Sequence, residues 1–251
     1  MAADQESVRG VDPLGRYTIA GLEYPAGLNS TVSAVELAVQ MNTALLNQGV
    51  GQRFEEIFFV THSFGGILVQ EMLHQALLSP GGEGAVNEKT KLGSLYDKTK
   101  LVFLIATPAE GADLASMTRK LTGMGTPILS DLRRIDENSY LRSLRNTWAA
   151  LLSNGKLAPQ LACAYETVPT WGFVAVPQDK ISTNCRGVPF PAAEDHNMIV
   201  KPSTSSAAIH GWVRGKLAEH RLASTAPNTS QTVAEPAPTH LLGTRFSSEA
   251  R

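Results

Sequence analysis

Apolar positions along the chain fall into two alternating patterns. Short aromatic and β-branched runs bounded by turn residues read as strands: RYTIAGLEY (16–24), ended by Pro25 and Gly27, EIFFVTH (56–62), QLACAYETVPT (160–170) and WGFVAVPQD (171–179). The unbroken run KLVFLIATP (100–108) predicts a strand buried on both faces. Between these runs the period lengthens. Ser33 and Glu36 have capping-box spacing, and Val32, Val35, Val39 and Leu46 recur near helical period until Gly49. A second helix is expected from Phe64 to about Leu78, followed by a polar, glycine-rich loop, SPGGEGAVNEKTK. Residues 112–152 predict two helices, broken near Gly123, Gly125 and Pro127, where a cap-like insertion would sit, and SSAAIHGWVRGKLAEH predicts a last helix. Strands alternating with helices imply an α/β fold with a mostly parallel sheet flanked by helices.

Composition narrows this picture. The 251 residues are 43% hydrophobic and 18% charged, enough for one well-buried domain over 16–222, between a short irregular N-terminus (1–15) and a Ser, Thr, Pro and Ala-rich tail (223–251) expected to be disordered. A net charge of −1 provides no basic face to meet phosphates, so nucleic acid is not an expected partner. No run reaches the length of a membrane span, and MAADQESVRG lacks the apolar core of a signal peptide. Cys163 and Cys185 show neither zinc spacing nor disulfide-scaffold density, so they are expected to be packed thiols in a cytoplasmic or other intracellular compartment.

The chemistry concentrates where EIFFVTH runs directly into a helix through Thr61, His62, Ser63, Phe64 and Gly65. This is close to the G-x-S-x-G nucleophile elbow, which holds a serine on a sharp, strained strand-to-helix turn. The plainer reading is a glycine-softened turn with an incidental serine. A serine nucleophile needs a base, because its free hydroxyl is protonated at neutral pH. Of six histidines, His62 belongs to the turn, His74, His210 and His220 fall on expected helices, and His240 is in the tail. His196, in FPAAEDHNMIVKP after the last expected strand, stands where α/β-hydrolases present their base. The orienting acid stays open between Glu166, after the penultimate strand, and Asp179, after the last. Asp195 is adjacent to His196 and is expected to shape the loop instead. The Phe64 backbone N–H would be one oxyanion donor.

In this order, THSFGG, LIATPAEGADLA, AYETVPT, AVPQDKIST and EDHNMIVKP resemble the lipase-like serine-active-site-containing α/β-hydrolases. That family is related to the inositol deacylase of glycolipid anchors and to N-terminal hydrolase domains of fungal NACHT and ankyrin-repeat proteins. The resemblance spans about residues 16–220. It implies Ser63 as nucleophile and His196 as base, and it favours Glu166 as acid. Two departures stand out. The family reads G-T-P-H-x-G where this chain has Ala106 to Gly111, without the histidine. The family also begins with a strand ending in His-Gly, whose loop supplies the second oxyanion donor, and residues 1–15 contain no such motif.

The expected function is therefore a serine esterase or lipase cleaving carboxylic esters, lipid esters among them, with no metal or organic cofactor. The expected fold is an α/β-hydrolase lacking its N-terminal strands, with weakened activity and a tendency to self-associate along an uncovered sheet edge. A catalytically impaired interaction domain and an acyltransferase are the alternatives.

Overall fold

The run KLVFLIATP becomes the interior of a sheet. In a computed structural model, which describes residues 17–24, 32–79, 88–111, 138–153, 159–170, 172–204 and 206–225, Leu101 to Ile105 are each 4% exposed or less. They form strand β2 (Thr99–Ile105), between β1 (Ile57–His62) and β3 (Gln160–Glu166), and β4 (Phe190–Ala192) completes the sheet. The order is β1-β2-β3-β4 and every pair is parallel, with Phe59 opposite Val102, Leu104 opposite Cys163 and Glu166 opposite Ala192. β4 contains Pro191, which a strand at the sheet's edge tolerates because no ladder hydrogen bond is required of it there.

Helix α1 (Ala34–Asn47) starts at the expected capping box. The Glu36 amide donates to Ser33 Oγ at 3.3 Å, and Glu36 Oε2 accepts from the Ser33 amide at 2.8 Å. Its buried face differs from the expected one. Leu37, Ala38, Met41 and Leu45 face the core, whereas Val35 and Val39 are exposed. A short helix α2 (Val50–Arg53) follows Gly49, and helix α3 (Phe64–Leu78) leaves β1 after a single residue. Helix α3 is buried along most of its length, from Phe64 through Met72 to Ala76, because the sheet and neighbouring helices enclose it. Part of the expected glycine-rich loop is helix α4 (Glu88–Lys98), which buries Leu95 and Tyr96. Helix α5 (Ser139–Ser153) packs Leu141, Leu144 and Trp148 inward, and its Arg145 meets Glu110 at 2.8 Å just past β2. The last helix, α6 (Ala208–Thr225), crosses the other side of the sheet. There Trp212 stacks on Phe190 at 5.5 Å and lies edge-on to Phe103 at 5.4 Å. A parallel sheet flanked by helices in this order fits the α/β-hydrolase fold.

Three expectations are corrected. Residues 17–24 form no strand; the segment packs irregularly on the sheet, with Tyr17 edge-on to Phe58 at 5.6 Å. Residues 172–179, the described part of WGFVAVPQD, form no strand either. Thr170 and Phe173 make an isolated antiparallel bridge, Val176 turns inward, Pro177 has no amide to give to a ladder, and Gln178–Lys180 is a turn of 3₁₀ helix. Cys163 and Cys185 are not free thiols; they form a disulfide with a Cα–Cα distance of 5.7 Å. Pairing of β3 with β4 folds the intervening chain back on itself, so the Arg186 amide reaches the Leu161 carbonyl at 2.7 Å and brings Cys185 alongside Cys163. With both cysteines bridged, the cysteine count no longer argues for a reducing compartment. The expected helices within 112–137, the N-terminus 1–15 and the tail beyond Thr225 lie outside the described residues. Among the described residues, no helix is long and apolar enough to cross a membrane.

Candidate active site

Ser63 is the single residue between β1 and α3, and its backbone is strained, with φ 51° and ψ −128°. A non-glycine residue at positive φ costs on the order of 1–3 kcal/mol and persists only where its surroundings hold it. Here the Ser63 amide donates to the Ile105 carbonyl at 3.0 Å, and the Ser63 carbonyl accepts from the Gly66 amide at 3.0 Å. Thr61, where the G-x-S-x-G motif has a glycine, is buried and donates its hydroxyl to the Phe103 carbonyl at 2.6 Å, tying β1 to β2 at the turn. The tightest approach falls at Gly66, not at Gly65. A Cβ on Gly66 would lie 2.1 Å from Thr107 Oγ1, whereas one on Gly65 would only touch the Tyr24 hydroxyl, at 3.4 Å.

Three side chains named from the sequence converge here. His196 Nε2 lies 3.1 Å from Ser63 Oγ, and His196 Nδ1 lies 2.6 Å from Glu166 Oε2. Glu166 ends β3 and is 1% exposed. A carboxylate withdrawn from water to that extent needs donors. Its two oxygens receive one each, since the Val176 amide donates to Oε1 at 2.8 Å and the imidazole proton faces Oε2. With Nδ1–H committed to Glu166, Nε2 of the neutral ring is an acceptor facing the serine hydroxyl, an arrangement in which the ring can take the hydroxyl proton. Asp179 is not brought to this ring. Its side chain is 73% exposed and lies 3.7 Å from Lys180 Nζ. Asp195 caps its own loop, accepting from the amides of Asn197 and Met198 at 2.8 and 2.9 Å.

Two contacts that hold the His196 loop were not anticipated. The His196 amide donates to Thr170 Oγ1 at 2.9 Å. The His62 ring sits 4.8 Å from the His196 ring, and its Nε2 lies 2.9 Å from the His196 carbonyl. A carbonyl only accepts, so His62 carries its proton on Nε2. Adjacency to Ser63 was the signal available for His62. Nothing local marks Thr170, because its partner is 26 residues away. No group of His, Cys, Asp and Glu side chains arranged to hold a metal occurs among the described residues.

Burial, reinforced by the neighbouring His196 ring, pushes the His62 pKa down to about 4. The unfolded chain therefore takes up a proton on His62 near its ordinary value, before the folded chain does. Stability contributed by this residue is complete above about pH 6.5 and is lost as pH falls toward about 4, in total on the order of 3 kcal/mol. Thermal unfolding followed from pH 7 to pH 4 is expected to show this loss, and His62→Asn is expected to flatten it. An equally steep decline in the variant would assign the acid sensitivity to other groups.

No protein-family model matches the chain, and no curated protein does. Among solved structures, it is similar to phospholipase PlaB from Legionella pneumophila in complex with thio-NAD, at 14% identity and a TM-score of 0.40, over 57% of this chain and 28% of that one. The chain thus spans little more than a quarter of PlaB. It is also similar to the mature form of the Bacillus licheniformis lipase BlEst2, at 14% identity and a TM-score of 0.44, over 75% of this chain and 72% of that one.

Proposed function

We propose that the chain is a serine hydrolase that cleaves carboxylic esters, lipid esters among them, through an acyl-enzyme on Ser63. The observation that carries this reading is the continuous relay from Ser63 Oγ through the His196 ring to buried Glu166. In the first half-reaction Ser63 Oγ attacks the ester carbonyl carbon as its proton passes to His196 Nε2. Glu166 stabilises the resulting imidazolium, and the carbonyl oxygen takes up the negative charge beside the Phe64 amide. The tetrahedral species collapses, the C–O bond to the alcohol breaks, and His196 returns the proton to the leaving oxygen. Water then repeats the sequence on the acyl-enzyme and frees the acid and Ser63.

The surroundings suit an apolar substrate. Val168, just past Glu166 at the end of β3, and Met198, on the loop that carries His196, are 41% and 44% exposed. A non-catalytic interaction domain would have no need to hold a serine in a strained conformation opposite a histidine oriented by a buried carboxylate. A fluorophosphonate probe, which reacts with activated serines, tests the reading: mass-spectrometric mapping is expected to find it on Ser63. A chain that stays unlabelled under conditions where an ordinary esterase reacts fully would rule the reading out.

A further inference from the structure

Stabilising the tetrahedral oxyanion takes more than one donor in most enzymes of this chemistry, and removing one typically costs a hundredfold or more in rate. Around Ser63 the backbone offers the first turn of α3. The amides of Phe64 and Gly65 have no hydrogen-bond partner among the described residues, as expected of the first residues of a helix. Two side-chain hydroxyls approach the same turn: Thr107 Oγ1, fully buried against Gly66, and that of Tyr24, which is half-buried. Tyr24, at the end of the irregular segment 17–24, packs its ring 6.2 Å from that of Phe64. Its hydroxyl lies 3.4 Å from the point that a Cβ on Gly65 would occupy. Cα–Cβ bonds of a helix tilt toward its N-terminus, so that point is on the Ser63 side of Gly65. The Tyr24 hydroxyl makes no hydrogen bond to a described residue. Burying a hydroxyl without a partner is costly, so a half-buried one left open in this way is suited to receive an acceptor that arrives with the substrate.

We propose that Tyr24 is a catalytic residue whose phenol O–H donates, together with the Phe64 amide, to the oxyanion formed during attack by Ser63. The proposal rests on the reading of Ser63 as the nucleophile, and it gives the segment 17–24 a function that its lack of regular structure conceals. Burial also raises the Tyr24 pKa, so the phenol keeps its proton and remains a donor throughout the neutral range. A phenol on a side chain reaches the turn from outside the sheet. It can therefore do the work of a backbone amide without requiring a particular loop conformation.

The test compares the wild-type chain with Tyr24→Phe, which keeps the ring against Phe64 and removes only the hydroxyl. With p-nitrophenyl esters, kcat is expected to fall about 100-fold while KM changes little, because an oxyanion donor acts on the transition state and not on the bound ester. A phenylboronic acid, whose adduct with Ser63 is tetrahedral and anionic, is expected to bind correspondingly more weakly, with the melting temperature unchanged. Tyr24→His, which restores an N–H donor, is expected to recover part of kcat. Unchanged kcat in Tyr24→Phe, or a raised KM at constant kcat, would overturn the proposal while leaving Ser63 as nucleophile. A melting temperature lowered in Tyr24→Phe and Tyr24→His alike, with no recovery of kcat in the latter, would overturn it in favour of a packing role. A wild-type chain whose Ser63 resists the fluorophosphonate would remove both readings together.

Discussion

Replacing Ser63 with alanine is expected to lower ester turnover by about a million-fold, the loss seen when the nucleophile of a serine relay is removed. No other hydroxyl of a described residue is hydrogen-bonded to the His196 ring, so the residual rate should be only what binding and the remaining oxyanion donors supply over the uncatalysed reaction. The melting temperature should barely move. Alanine inherits the same positive φ, and the 3.1 Å contact to His196 is the only side-chain hydrogen bond to a described residue that is lost. Ser63→Gly makes the comparison sharper. Glycine adopts φ 51° without the steric conflict of a Cβ, so this variant should be as inactive as Ser63→Ala yet more stable by about 1 kcal/mol. Turnover of a p-nitrophenyl ester and thermal unfolding of the three proteins check both halves. Substantial turnover in Ser63→Ala would remove Ser63 from the mechanism. Equal stability of the alanine and glycine variants would show that the turn stores no strain.

Glu166→Gln is expected to lower kcat by about ten-thousand-fold, and Asp179→Asn to leave it within a factor of a few. The argument is one of donors and acceptors. Glu166 offers two accepting oxygens and uses both, for the Val176 amide and for His196 Nδ1. Glutamine has one accepting oxygen and an NH₂ group, which only donates. If the oxygen stays with the Val176 amide, the NH₂ faces Nδ1 and favours the tautomer with its proton on Nε2, which cannot take a proton from serine. If it turns to Nδ1, a buried amide loses its acceptor. Asp179, exposed beside Lys180, holds no such position. Steady-state kinetics of the two variants decide the matter, and the reverse ranking would move the orienting acid to the 3₁₀ turn at Gln178–Lys180.

What was legible in the sequence was whatever is encoded locally. EIFFVTHSFGG shows a buried strand, a sharp turn and a helix in consecutive residues, so the placement of Ser63 could be read directly. The Ser33 capping box is likewise a four-residue signal, and both of its arms form. Glu166 and His196 were accessible as candidates because one follows a clearly apolar run and the other lies in a loop beyond the remaining strands. Choosing Glu166 over Asp179 required the fold, because the segment expected to be the last strand turns back to place the Val176 amide on Glu166. The last strand among the described residues is three residues long and includes a proline, too short to show any alternation. The face of α1 was misjudged because valines at helical spacing line its exposed side, while the smaller Ala34 and Ala38 sit against the core. Cysteine spacing carried no trace of the disulfide, since its geometry arises only when β4 returns beside β3.

The order of the sheet also governs how the chain reaches its folded state. Among the described residues every strand pairs in parallel with the next, so each pair closes only after a long connection has been spanned, helical from β1 to β2 and from β2 to β3 and largely irregular from β3 to β4, and no hairpin offers a short route. Helices such as α1, with its intact capping box, can form early and locally, whereas the sheet must wait for slow encounters between distant segments. The serine turn belongs to the later event. Its strained backbone is held by the Ile105 carbonyl at the end of β2, so the conformation that exposes Ser63 exists only once β1 and β2 have come together. A folding intermediate with its helices formed and its sheet unmade would thus hold a slack, unstrained Ser63, distant from its partner on the β4 side of the sheet.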